Sequence, residues 1–160
     1  MKQILYTLLC SIMIVGTISC GNSNKKKPAS GDLSSKQKKE LRQLAKKIKV
    51  KLEEKKNRII KTINTPYGDN STVYTFDGDK CIGYKETIAF TDAETAKKTH
   101  DGLKEVNDLS HTMKNLSVNG KILSYEYSQE TIDGMYEGMT RAQVLEQIKK
   151  EIKQSEEFFK

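Results

Sequence analysis

The sequence predicts an α+β domain, a small antiparallel sheet with helices packed on one face, preceded by a basic stalk helix. Three observations point there. Segments rich in Ile, Val, Thr, Tyr and Phe are joined by Gly- and Asn-containing turns, the mark of hairpin-linked strands. Two other segments open with a Thr-x-x-Glu or Thr-x-x-Gln capping box and continue with apolar residues at helical spacing. The resulting order is helix, three strands, helix, two strands, helix, which lacks the strict strand-helix alternation of a parallel sheet.

Each element has its own signal. From Lys36 to Asn57 a narrow stripe of Leu41, Leu44, Ala45, Ile48 and Leu52, ringed by Lys and Arg, predicts a helix capped by Ser34 or Ser35 and a basic stalk over 36–62. Arg58 to Asn64, Thr72 to Phe76 and Cys81 to Phe90 read as strands, the last with Ile82, Tyr84, Ile88 and Phe90 on one face. Pro66 to Asn70 and Asp77-Gly78-Asp79 supply the connections. Thr91-Asp92-Ala93-Glu94 opens a helix to about Asp108, with Ala93, Ala96, His100, Leu103 and Val106 as its inner stripe. Strands from His111 to Val118 and Lys121 to Ser128 flank Asn119-Gly120, a strong hairpin signal. Thr140-Arg141-Ala142-Gln143 then opens a final helix whose buried face is Val144, Leu145, Ile148, Ile152 and Phe159. On this reading residues 63–160 form the globular domain and fold without the stalk.

The first residues carry an address. After Met1 and Lys2, Ile4 to Ile18 is mostly apolar, and its roughly 15 residues fall short of the roughly 20 that span a bilayer, which suits a secretory signal. The run ends in Gly16-Thr17-Ile18-Ser19-Cys20. This resembles the lipobox of bacterial lipoproteins, although Thr17 stands where that family usually has Leu or another aliphatic residue. The resemblance implies a signal peptide over 1–19, cleavage after Ser19 and acylation of the Cys20 sulfur as membrane anchor. Residues 20–35, rich in Ser, Asn, Gly and Lys, read as a flexible tether. Lipobox, tether and compact domain together resemble the small lipoproteins of Bacteroidota-type bacteria. That likeness implies export and lipid anchoring to the cell membrane or outer membrane, periplasm-facing or surface-exposed, and carries no known activity.

Charge is divided along the chain. Lys25 to Thr62 holds 15 bases against 4 acids, or +11, while Ile63 to Lys160 holds 12 bases against 17 acids, or −5. A basic arm beside a lipid anchor suits anionic headgroups, so the Lys25–Lys61 segment is a candidate membrane contact, and export sets nucleic acid aside. With Cys10 leaving in the signal and Cys20 lipidated, Cys81 has no partner for an intramolecular disulfide, and its strand-like surroundings suit a buried small hydrophobe.

The remaining motifs reduce to simpler explanations. Cys81, His100 and His111 lack zinc-ligand spacing, and Asp77-Gly78-Asp79 lacks the oxygen ligands and closing Glu of a calcium loop. Ser35 and Lys38 have Ser-x-x-Lys spacing without the companion motifs of that chemistry. Glu126, Glu130, Asp133 and Glu137 suit a solvated acidic rim. No catalytic, cofactor or metal residue is therefore assigned. Gly138-Met139-Thr140-Arg141-Ala142-Gln143-Val144 is similar to the helix-start signature of small outer-membrane assembly lipoproteins and β-lactamase inhibitor proteins, which share an α+β fold, without the Gly-x-Pro that commonly follows.

The expectation is a non-catalytic binding or structural module acting on an envelope protein or ligand. Two alternatives stand beside it, an envelope enzyme with a site assembled from scattered residues and an accessory subunit of outer-membrane assembly. A deep pocket with convergent polar groups near His100, His111 or the acidic cluster would favour the enzyme, whereas a flat sheet face or an exposed apolar patch would favour binding.

Overall fold

Alternation on the central strand decides which side of the sheet becomes the core. Over Gly68–Asp77, Asn70, Thr72, Tyr74 and Phe76 are buried, while Ser71, Val73 and Thr75 on the opposite side are half-buried. The computed structural model describes residues 46–158 together with Gln43. Cys20, the tether and the first part of the expected stalk helix, apart from Gln43, lie outside the described residues.

Strands β1 (Lys49–Lys55), β2 (Arg58–Thr65), β3 (Gly68–Asp77) and β4 (Lys80–Phe90) form an antiparallel meander. Helix α1 (Ala93–Ser110) leads to the hairpin of β5 (Met113–Asn119) and β6 (Ile122–Tyr127), followed by α2 (Gln129–Tyr136) and α3 (Arg141–Phe158). The sheet order is β1-β2-β3-β4-β6-β5, so β6 pairs with β4 and β5 forms the far edge. The expected α+β class, an antiparallel sheet with helices on one face, is what the chain adopts.

The helices cover the Tyr74 face. Ile59, Tyr74, Phe76, Cys81, Tyr84 and Tyr125 from the sheet cluster with Ile132 of α2 and Val144 and Ile148 of α3. A second cluster joins Phe90 and Leu123 to Ala96 of α1. Full burial of an aliphatic side chain of this size contributes about 1.5–3 kcal/mol. With no disulfide among the described residues, these two clusters carry the tertiary stability.

Local chemistry sets the helix starts. The Thr140–Gln143 capping box forms reciprocally, with the Gln143 amide donating to Thr140 Oγ1 at 3.3 Å and the Thr140 amide donating to Gln143 Oε1 at 2.8 Å. Helix α1 is capped one residue later than expected: the Thr95 amide donates to Asp92 Oδ1 at 2.7 Å, so Asp92 and not Thr91 is its N-cap. Ser128 caps α2, a short helix absent from the expected order. At Gly68, with φ of 145°, any Cβ would collide with the Ala89 carbonyl.

Three sequence expectations are corrected. The stalk helix was expected to run to Asn57, but Lys49–Lys55 is β1, paired with β2 from Lys49↔Asn64 to Lys55↔Arg58. The segment KVKLEEK supports both periods at Leu52, and as a strand on β2 it packs Leu52 against the core, whereas a short isolated amphipathic helix is marginal in water. The globular unit therefore takes in β1 and β2 and does not begin at Ile63; the earlier part of the stalk lies outside the described residues. Ile82 does not share a face with Tyr84, because the β3–β4 register shifts between Thr75 and Phe76, and the extra residue on β4 turns Ile82 outward to 43% exposure. Val106, assigned to the inner stripe of α1, is 56% exposed, while its neighbour Asn107 is the residue that ties the last turn to the Met113 backbone of β5.

Candidate functional site on the open face of the sheet

With every described helix on the Tyr74 side, the opposite side of the sheet faces solvent, and its side chains can be read from the ladder. Arg58, Thr75 and Gly83 form one cross-strand row; Val73, Lys85, Glu126 and Lys114 form the next. The rows lie two residues apart along the strands, about 7 Å, and neighbouring strands are about 4.8 Å apart. These residues surround a groove of about 470 Å³. Its size is within the range of ligand-binding clefts, about 300–1,000 Å³.

The groove exists because of a glycine and a bulge. Gly83 adds no side chain to its row, and a Cβ there would come within 3.2 Å of the Thr75 Cβ. The bulge at Ile82 increases local twist, which deepens the depression between β3 and β4. Arg58, Lys85 and Lys114 are exposed, and none is in an ion pair among the described residues. By contrast, Lys97, Lys98 and Lys104 on α1 are each paired with a carboxylate four residues away. The groove's acid, Glu126, accepts a hydrogen bond from Asn115 Nδ2 at 3.1 Å.

The inner face holds a different polar group. Glu86, 6% exposed, accepts from Tyr84 Oη at 2.7 Å and Tyr125 Oη at 2.9 Å on one oxygen and from Asn70 Nδ2 at 2.5 Å on the other. Thr72 Oγ1 donates to Asn70 Oδ1 at 3.4 Å. Edge-to-face contacts extend the cluster from Tyr84 to Tyr74 and on to Tyr136. Both Glu86 oxygens are committed to side chains of the chain's own core, so this is a saturated structural network and offers no free oxygen to a substrate.

These tyrosines make an alkaline prediction. Burial, the largest cause for each, raises the phenols of Tyr74, Tyr84, Tyr125 and Tyr136 above their ordinary value; Glu86 adds to this for Tyr84 and Tyr125, and Glu151 for Tyr136. A group whose folded pKa is raised contributes stability that is complete below its unfolded pKa and is lost as pH rises toward the folded one. The domain is therefore expected to weaken above about pH 10, the unfolded tyrosine value, with the tyrosinate absorbance of these four appearing together with loss of circular dichroism. Absorbance rising well before unfolding would contradict their burial.

The residues considered from sequence do not converge. His100, with Nδ1 3.1 Å from Asp101, and exposed His111, the left-handed C-cap of α1, are eleven positions apart, about 16 Å along a helix axis. Glu126 faces the groove, while Asp133 on α2 meets Lys80 at 3.5 Å and Gln129 at 2.9 Å. Glu130 and Glu137 are exposed at the two ends of α2. Cys81 is buried, its thiol pushed up by burial. Asp77-Gly78-Asp79 is the β3–β4 turn, with Gly78 at φ 58°. No group of three or more metal-binding side chains gathers among the described residues, and no described helix is long and apolar enough to cross a membrane.

Sequence reasoning missed the groove, whose signal was the Ile82-Gly83 pair inside a strand, the position where a bulge or a close backbone approach is expected. The chain matches no protein-family model, no curated protein and no solved structure.

Proposed function

We propose that this chain is an exported, Cys20-anchored cell-envelope lipoprotein whose α+β domain serves as a non-catalytic binding module. The observation that supports it most is the open face of the sheet: a half-buried surface with a groove and no described helix over it, while the polar chemistry of the inner face is internally satisfied. Sites that recognise without reacting need a shaped surface and unpaired polar groups, which the open face has. The lipobox resemblance supplies the anchor and the tether supplies reach. The basic arm from Lys25 to Lys47 would then lie close to the headgroups, where each charge can contribute about 1 kcal/mol.

The anchor has a direct test. Mass spectrometry of the mature protein is expected to find acyl chains on an N-terminal Cys20, and Cys20→Ala is expected to leave the chain unprocessed or release it from membranes. An unmodified Cys20 at the mature N-terminus would overturn the lipoprotein reading.

A further inference from the structure

We infer that the open-face groove binds an acidic, extended peptide segment of a partner protein. The inference rests on the binding-module reading and adds the chemistry of the ligand.

Charge selects the class. Arg58, Lys85 and Lys114 project from three different strands around one depression, with Glu126 the groove's single carboxylate. The stretch from Ile63 onward is acidic as a whole, with 17 acids against 12 bases, yet Lys85 and Lys114 on its open face, like Arg58 beside them, form no ion pair with a described carboxylate. Three unpaired cations around a cleft raise the local concentration of anions and speed their encounter.

Geometry then selects among anions. In register Glu126 lies between Lys85 and Lys114, so the two lysines are spread about 10 Å apart with a negative group in the middle. A single dense phosphate would meet that carboxylate. A chain with carboxylates separated by neutral residues can address Lys85, Lys114 and Arg58 in turn and lay its backbone over the half-buried floor of Val73 and Thr75. A flat layer of headgroups cannot reach a recessed floor. The basic arm of the same chain is repelled by the same charges, so it is not the occupant.

The test uses the full chain carrying Cys20→Ala, with fluorescence anisotropy of a labelled synthetic peptide of alternating glutamate and serine. Lys85→Gln with Lys114→Gln is expected to weaken binding by about tenfold or more, and Glu126→Gln to tighten it by about threefold, as removal of a cation or an anion at a complementary site requires. Thr75→Tyr, which fills the groove without changing charge, is expected to abolish binding. Lys46→Gln with Lys47→Gln is expected to change it by less than about twofold, since those lysines lie outside the groove. Unchanged far-ultraviolet dichroism certifies each fold. Three outcomes overturn the inference: peptide binding that follows the arm lysines and ignores the groove, groove variants that lower binding to anionic vesicles but not to the peptide, or a self-associated chain that Thr75→Tyr dissociates. Acylation is not needed for any of these measurements, so a failed anchor and a failed groove are read separately.

Discussion

A chain shortened to begin at Ile63 is expected not to fold, whereas one that begins at Lys46 is expected to unfold cooperatively in urea. The shorter chain loses β1, most of β2 and the fully buried Ile59, and it uncovers the ten-residue edge of β3. Losing a buried isoleucine side chain alone costs about 2–5 kcal/mol, against a total stability of about 5–15 kcal/mol for a domain. A bare β3 edge would also recruit other chains. Circular dichroism and sedimentation of the two truncations check this: a monomeric, cooperatively folded 63–160 fragment would show that the first hairpin is an accessory to the core.

Substituting Glu86 by Ala is expected to destabilise the domain by about 3–5 kcal/mol, the range for breaking a buried polar network from one side. The change strands the Tyr84 and Tyr125 hydroxyls and the Asn70 amide in the core and leaves a cavity between them. Glu86→Gln should cost less, because a tyrosine hydroxyl can reverse and accept from the new amide. Replacing Glu86 by Leu together with Tyr84→Phe and Tyr125→Phe should recover most of the loss, since removing all partners leaves fewer unsatisfied groups. Urea midpoints of the three variants order these effects; an alanine variant as stable as the parent would mean that water satisfies the stranded groups.

Where a local pattern had one interpretation, the sequence was readable. The Thr140–Gln143 box, the Gly78 turn and the hairpin around Gly120 are set by residues within a few positions of one another. Lys49–Lys55 was not readable in the same way, since Leu52 fits a helical stripe and a strand equally and only pairing with β2 decides between them. Ile82 was misplaced because a bulge inverts the in-out phase of a strand partway along, and periodicity taken from the Tyr84 end does not carry through it. The polar core escaped notice because Glu86 alternates correctly with Tyr84 and Ile88 but is charged, and its three donors come from Asn70, Tyr84 and Tyr125, as many as 39 positions away. The groove draws on β2 through β6, and the Ile82-Gly83 pair marks its bulge but not the cations that surround it.

The carboxylate at the centre of the sheet also bears on how faithfully the strands find one another. Slide β4 by a single residue against β3 and β6, and Lys85 is carried to the inner face opposite Thr72 and Tyr125 while Glu86 is carried outward. An apolar residue at position 86 would lower the cost of that mistake, because Thr87 and Ala89 tolerate either side and only the inward turn of Lys85 would oppose it. With Glu86 in place, the slipped arrangement leaves the Tyr125 hydroxyl and the Asn70 amide without their acceptor and adds a buried ammonium group without a counter-charge, a difference of several kcal/mol. Misaligned sheets should therefore come apart before they can pack against α1 and α3, which makes this one side chain a proofreading device for the assembly of the domain.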